Sequence, residues 1–244
     1  MIKSMKKTVV LLLSVLLFLP CGLCGAEEDA LPVCTVKASL LLPEEDPRWE
    51  LDYDYPGLPG EDPVSVQIND YYDTSRTEMT VLMLPMLSNS VETEEGKMNR
   101  MTQEYRVTCN NGRFFSVLLL QMTESGGRTV YNLESDTFDV SGEYAGQLLT
   151  LRGVVMVGES TVQLAECLMP VLYERFTALQ EEGVIDPDLE QEDFEEIVYP
   201  DSHFYTNSDG SVTFYFQPEV MLEPSFDVPC FTFTPDELAA LISE

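Results

Sequence analysis

The sequence predicts an α+β fold, an antiparallel sheet meander packed against a few helices. Three observations carry that prediction. Strand-like segments at residues 104–109, 113–122 and 128–140 follow one another through compact turns. Amphipathic helical stretches lie before and after this block, not between its strands. A hairpin over residues 203–217, a strand at 230–233 and a capped terminal helix close the chain. Such an order lacks the βαβ alternation of a doubly wound sheet.

Residues 1–26 read as a secretory signal and stand apart from the fold. Lys3, Lys6 and Lys7 form a basic leader, Thr8–Pro20 is apolar and uncharged, and Glu27–Glu28–Asp29 follow a Gly/Ala/Cys segment. Cleavage after Ala26 leaves small residues, Ala26 and Cys24, at the −1 and −3 positions. Two alternatives stay open: a lipid anchor at Cys21 or Cys24, preceded by Pro20 or Leu23, and an uncleaved anchor. No second apolar stretch approaches the roughly 20 residues of a spanning helix. The expectation is a secreted or surface-tethered module over residues 27–244, with a sub-boundary near 158–160.

Within that module, residues 33–42 form a strand, and residues 43–63, rich in Pro, Gly, Asp and Tyr, form irregular chain. Asp62–Pro63 supplies an N-cap and a first-turn proline. Ile68, Tyr72, Ser75, Met79 and Met83 then recur at helical spacing to about Pro85. In the middle block the turns are Asn110–Asn111–Gly112 and Ser125–Gly126–Gly127, where Asn and Gly accept positive φ. Leu148–Met156 is expected as a further strand. Ser160-Thr-Val-Gln163 has the capping-box pattern. It opens a helix with Ala165, Leu168, Leu172, Phe176 and Leu179 as its buried stripe, a kink or break at Pro170 and Gly183 as C-cap. A short acidic helix is expected at Pro187–Val198. The final hairpin turns at Asn207–Gly210, and Thr234-Pro-Asp-Glu237 caps the last helix.

The 244 residues carry 43 acidic and 13 basic side chains, a net charge of −30 with 44% hydrophobic residues. That is enough apolar content for a core, and the wrong sign for nucleic acid or an anionic membrane surface. Loss of the signal removes three lysines and no acid, leaving 43 against 10, a net −33. Four cysteines remain: Cys34, Cys109, Cys167 and Cys230. In an exported chain an even count favours disulfides, with three connectivities, and buried free thiols are the alternative. Their wide spacing is unlike the paired cysteines of a zinc site.

Candidate chemistry is sparse. His203 is the single histidine, which limits both metal binding and nucleophilic triads. Ser125–Arg128 lacks the Lys-Ser/Thr of a phosphate loop. Asp186–Glu196 reads as a solvated helix face without calcium-loop spacing. No catalytic, cofactor or metal motif emerges, and the sequence reads as non-enzymatic.

The closing stretch is more specific. Residues 203–217 read His-Phe-Tyr-Thr-Asn-Ser-Asp-Gly-Ser-Val-Thr-Phe-Tyr-Phe-Gln, followed by Pro218–Glu219, and residues 228–238 read Val-Pro-Cys-Phe-Thr-Phe-Thr-Pro-Asp-Glu-Leu. This resembles the end of the extracytoplasmic module shared by RsiV-type anti-sigma factors and PdaC-type peptidoglycan deacetylases. Tyr55–Pro56, Ile68–Asn69, Asn111–Gly112, Phe115–Ser116, Ser125–Gly127 and Thr137–Phe138–Asp139 follow that family's motifs in order, over about residues 33–242. The resemblance implies an α+β sensor or binding module. RsiV-type members bind lysozyme, which licenses proteolytic release of a sigma factor; PdaC-type members carry a separate deacetylase domain. The sigma-binding and deacetylase parts have no counterpart in this sequence. Departures fall at Arg128–Thr129, at Glu219 and at Glu223–Phe226, a loop suited to partner contact.

The leading expectation is thus recognition of lysozyme or another cationic extracellular protein, favoured at long range by the negative charge. Gln217, Pro218, Pro224 and Phe226 are its contact candidates. Two other readings remain. One is binding of cell-wall peptidoglycan, with Trp49, Tyr53, Tyr55, Tyr71 and Tyr72 as stacking faces. The other is a carboxylate-dependent hydrolase.

Overall fold

Alternation of side chains along extended chain decides how this molecule layers. The computed structural model describes residues 30–42, 48–83, 98–155 and 164–243. Five strands form one sheet in the order β1 (Cys34–Leu42), β2 (Trp49–Gly57), β3 (Asn99–Asn110), β4 (Phe114–Ser125) and β5 (Arg128–Asp139). A smaller sheet contains β6 (Phe204–Thr206), β7 (Val212–Tyr215) and β8 (Cys230–Phe233). The helices are α1 (Pro63–Glu78), α2 (Leu151–Val155), α3 (Leu164–Glu181), α4 (Gln191–Ile197) and α5 (Pro235–Ser243). The α+β expectation holds.

One face of the large sheet carries Tyr55, Phe115, Val117, Leu119 and Phe138, and α1 buries Ile68 and Tyr72 against it. The helix starts where the sequence places it. Asp62 accepts from the Val64 and Ser65 amides at 3.1 and 3.0 Å, with Pro63 in the first turn. The opposite face offers Leu118, Leu120 and Leu133, which meet Tyr215 of the small sheet. Hydroxyls fill the rest of that seam: Ser116 Oγ and Thr137 Oγ1 lie 2.8 Å apart, and the Thr206 amide donates to Ser116 Oγ at 3.2 Å. The small sheet turns Val212, Phe214, Phe216 and Phe233 the other way, into a core with Leu168, Leu172 and Phe176 of α3 and Phe194 of α4. Four layers result: α1, the large sheet, the small sheet and α3–α5.

Three expectations change. Residues 43–63 are not all irregular, because β2 lies within them; Trp49, Leu51, Tyr53 and Tyr55 point inward while Glu50, Asp52 and Asp54 are half-exposed. The sheet is also not a pure antiparallel meander. β2 and β3 pair in parallel, from Trp49↔Asn99 to Tyr53↔Gln103, since α1 and its following connection return the chain between them. Finally, Leu148–Val155 is not a strand, and Met156 lies outside the described residues. Only Leu148 bridges to Phe138; the chain then coils into α2, with the Gly153 and Val154 amides donating to the Thr150 carbonyl.

The helices α3–α5 follow the predicted signals with shifted bounds. α3 runs through Pro170 as one element and ends before Gly183, whose φ is +73°; the proposed cap at Ser160 lies outside the described residues. The acidic helix is only α4, because Asp186 Oδ1 accepts the Asp188 amide at 3.0 Å and holds a turn there. At α5 the reciprocal box forms: Glu237 accepts from the Thr234 amide at 2.7 Å, and Thr234 Oγ1 accepts the Glu237 amide at 3.3 Å.

Among the described residues no disulfide joins Cys34, Cys109, Cys167 or Cys230, so the disulfide expectation is not met. They stand on four separate elements, β1, β3, α3 and β8. Two have local acceptors: Cys34 Sγ donates to the Gly57 carbonyl at 3.2 Å and Cys230 Sγ to the Val228 carbonyl at 3.4 Å.

Candidate functional site

The segment that leaves β7 gathers most of the predicted contact residues. Gln217 is extended, with φ −70° and ψ 145°, and Pro218 opens a 3₁₀ turn over Pro218–Val220. The Gln217 side chain grips the edge of β5 at two points. Its Oε1 accepts the Leu133 amide at 3.0 Å and its Nε2 donates to the Leu133 carbonyl at 2.7 Å. Farther along, the Asp186 amide donates to the Val220 carbonyl at 3.0 Å and the Leu222 amide to the Val184 carbonyl at 3.2 Å. The chain is therefore pinned on both sides before it reaches the loop.

Pro224 is exposed and Phe226 half-buried. Phe226 meets Tyr131 of β5 edge to face, ring centroids 4.9 Å apart. Together with Val228 it borders the cluster of Leu118, Leu120, Leu133 and Tyr215. Of the four predicted contacts, Pro224 and Phe226 lie at the surface, whereas Gln217 and the buried Pro218 hold the loop. Sequence reasoning missed two neighbours, Leu222, 53% exposed, and Tyr131. Leu222 had a signal, a large apolar residue beside Glu223–Pro224 in a segment between strands. Tyr131 had none, since its contact joins β5 to a loop 95 residues farther along the chain.

Glu219, Glu223 and Asp227 on this segment are exposed, and no lysine or arginine follows Arg175 in the chain. The loop thus offers an aromatic and aliphatic centre within an acidic surround. It has the polarity to accept a basic surface whose apolar parts cover Phe226 and Leu222.

His203 sits behind the loop. Its ring stacks on Tyr215 at 5.6 Å and meets Tyr199 edge-on at 5.5 Å. Leu172, Val198, Pro200, Phe214, Phe216 and Phe231 surround this site. Burial lowers the imidazole pKa below its ordinary 6.5. Ser135 Oγ accepts from the Tyr215 hydroxyl at 3.1 Å, and it reaches the carbonyls of Ser202 and Phe204. These contacts place no hydroxyl or thiol against an imidazole nitrogen, and the ring is packed between Tyr199 and Tyr215.

The α1 side holds a second titratable centre. Tyr71 donates to Asp136 Oδ1 at 2.9 Å. Burial raises the Asp136 carboxyl to about 6; the Tyr71 hydrogen bond opposes that shift and the Glu134 charge adds to it.

The aromatic residues considered for glycan stacking are in the core. Trp49 is 1% exposed, and Tyr53, Tyr55 and Tyr72 are 4%, 8% and 4% exposed. Tyr53, Tyr55 and Tyr72 border a cleft of only about 40 Å³ with Arg76, Gln103 and Glu134, far below the few hundred Å³ of an ordinary ligand pocket. Tyr71 packs edge-on against Tyr72 and Phe138. Their ring faces are spent on packing, so the stacking platform expected for peptidoglycan is not assembled. Among the described residues, no group of three or more His, Cys, Asp or Glu side chains is arranged to hold a metal. No described helix is long and apolar enough to cross a membrane.

Solved structures resemble this arrangement. A DUF3298 family protein from Pseudomonas aeruginosa PAO1 matches 88% of this chain and 95% of its own, with a TM-score of 0.55 and 14% sequence identity. The chain has a DUF3298-type fold. A DUF3298 member from Bacteroides fragilis NCTC 9343 matches 90% of this chain and all of its own at 14% identity, with a TM-score of 0.45. No protein-family model matches the sequence, and no curated protein does. At such identity the DUF3298 likeness speaks to architecture and not to ligand.

Proposed function

We propose that this chain is a non-catalytic binding module that works outside the cytoplasm and recognises a cationic protein through residues 222–226 and Tyr131. The observation that carries the reading is the surface of exposed Leu222 and Pro224 and half-buried Phe226 among Glu219, Glu223 and Asp227, without a lysine or arginine after Arg175. Long-range attraction from a net charge of −30 speeds encounter with a basic partner. It does not confer specificity, which needs a desolvated centre such as Phe226 and Leu222. Lysozyme is the partner implied by the likeness to RsiV-type modules, and the signal-like residues 1–26 support a location where such a protein is met.

The test is retention of lysozyme by the purified protein as salt is raised. A specific contact survives in part at roughly 0.5 M salt, where the Debye length falls to a few ångströms. Retention that vanishes with modest salt is ion exchange and sinks the proposal. Sedimentation with insoluble peptidoglycan in the absence of lysozyme points to the glycan instead.

A further inference from the structure

We propose that neutral His203 holds the recognition loop in place, and that protonating this single imidazole opens the Gln217 clamp and frees the loop from the edge of β5. The functional consequence rests on the binding surface proposed above; the switch itself rests on the clamp.

The orientation of the Gln217 amide is fixed from one side. Oε1 must face the Leu133 N–H and Nε2 must face the Leu133 carbonyl, at 3.0 and 2.7 Å. Rotating the amide by half a turn sets oxygen against oxygen and nitrogen against nitrogen. The second hydrogen on Nε2 is left for His203 Nε2, 3.4 Å away. That ring nitrogen must offer a lone pair, so the neutral ring carries its proton on Nδ1. Nδ1 is buried without a hydrogen-bond partner, a cost the opposite tautomer would not relieve, because its Nε2–H would point at the Gln217 NH₂.

A protonated ring donates from both nitrogens, and donor then faces donor across the 3.4 Å contact. The ring is the less able of the two to move. It lies between Tyr215 and Tyr199, its amide donates to the Tyr199 carbonyl at 2.7 Å, and its carbonyl accepts the Tyr215 amide at 3.2 Å. The Gln217 side chain has to yield, and yielding forfeits both bonds to Leu133. Phe226 and Val228 border the same cluster as Leu133, so the loop loses an anchor on that side.

The surroundings supply no counter-charge for an imidazolium. The walls from α3, β7 and β8 are Leu172, Phe214, Phe216 and Phe231, and Val198 and Pro200 close the site from the chain after α4. Facing titratable groups are the phenols of Tyr199 and Tyr215, and the latter is engaged with Ser135. On β5, Glu134 borders the cleft on the α1 side of the sheet, and Asp201 is exposed two residues before His203. Burial lowers the His203 pKa. The clamped state therefore resists the proton, and a released state takes it up more readily. Acidification below the ordinary imidazole pKa of 6.5 favours release, and neutral pH favours the clamp.

Long-range ¹H–¹⁵N NMR on the full protein reads the tautomer directly. At about pH 7.5 the expected signature is an unprotonated Nε2 and a protonated Nδ1. Amide exchange at Leu133, corrected for intrinsic rate, should accelerate about tenfold or more as the ring titrates toward about pH 5. In His203→Phe, which keeps the aromatic stack, that acceleration should disappear. An Nε2–H tautomer in the wild type overturns the proposal without recourse to any variant. So does equal pH dependence of Leu133 exchange in His203→Phe. Lysozyme retention over the same pH range separates the two readings: clamp opening with unchanged retention leaves the switch standing and removes the loop from the binding surface, whereas falling retention without clamp opening overturns the switch.

Discussion

Replacing Asp136 with Asn should stabilise the protein at neutral pH and lose that benefit in acid. Asp136 lies on β5 under α1, 6% exposed, with its Oδ1 accepting from Tyr71 at 2.9 Å. Burial lifts its carboxyl from the ordinary 3.8 to about 6, against the pull of the Tyr71 hydrogen bond. The folded state thus binds this proton more tightly than the unfolded chain. Stability falls as pH rises from about 4 to 6 and is level above that, once both states are ionised. At about 1.4 kcal/mol per pKa unit the ionised carboxylate costs up to about 3 kcal/mol at neutral pH. Asn keeps an acceptor for Tyr71 but brings two N–H groups that need partners, so the realised gain should be about 1–2 kcal/mol. The single tryptophan, Trp49, is buried in the large sheet and reports unfolding by its emission. Urea titrations at about pH 7.5 should show D136N as the more stable protein, and at about pH 4.5 the two should converge or reverse. An unchanged difference between D136N and wild type at the two pH values would refute the assignment of a protonation cost to Asp136.

Other substitutions separate support from contact. Gln217→Ala removes both bonds to Leu133 and leaves a buried amide unpaired, so it should cost about 1–3 kcal/mol by urea titration and speed Leu133 exchange. Phe226→Ala truncates a half-buried ring against Tyr131; it should cost about 1 kcal/mol in stability yet weaken lysozyme binding tenfold or more by titration calorimetry. Asn110→Ala frees the segment before β1, since Asn110 Oδ1 accepts the Leu31 amide at 2.9 Å and Nδ2 donates to the Leu31 carbonyl at 2.8 Å. Limited proteolysis near Leu31 should accelerate in that variant, with about 1 kcal/mol lost overall.

The parts of the fold legible in the sequence are those set by local chemistry. β4 and β5 follow from apolar runs broken at Gly112 and at Gly126–Gly127, where φ is +75°, +56° and +75°. Asp62–Pro63 and Thr234–Glu237 announce helix starts because their capping bonds close within three residues. β2 was hidden, although Trp-Glu-Leu-Asp-Tyr-Asp-Tyr alternates at strand period, because prolines, glycines and acids on either side gave the stronger turn signal. The parallel pairing of β2 with β3 depends on where α1 returns the chain, and no local pattern encodes that.

The site divides along the same line, and the division bears on what the resemblance read from the sequence means. Residues that carry the resemblance to RsiV-type and PdaC-type modules are structural in this fold. Asn69 clamps Leu58 through bonds of 2.9 and 2.8 Å. Asn111 Oδ1 accepts the Phe114 amide at 3.0 Å and shapes the β3–β4 turn. Ser116 and Thr137 join two strands, Asp139 Oδ1 accepts the Gly142 amide at 2.9 Å, and Gln217 clamps Leu133. Three amide side chains, Asn69, Asn110 and Gln217, each imitate a peptide group by pairing with both the N–H and the C=O of one residue. Two of those pairings span 79 and 84 positions in sequence, which is why Gln217 read as a contact residue when it is a fastening. The departure at Glu223–Phe226 lies instead on the pinned, exposed loop, where a change alters what is touched without loosening what is held. A change confined to such a loop is a route to a different partner. Exchanging residues 223–226 for the loop of a lysozyme-binding module should therefore change partner affinity severalfold or more while leaving the urea midpoint within about 1 kcal/mol of wild type; a loop exchange that unfolds the protein would show that this segment, too, is part of the frame.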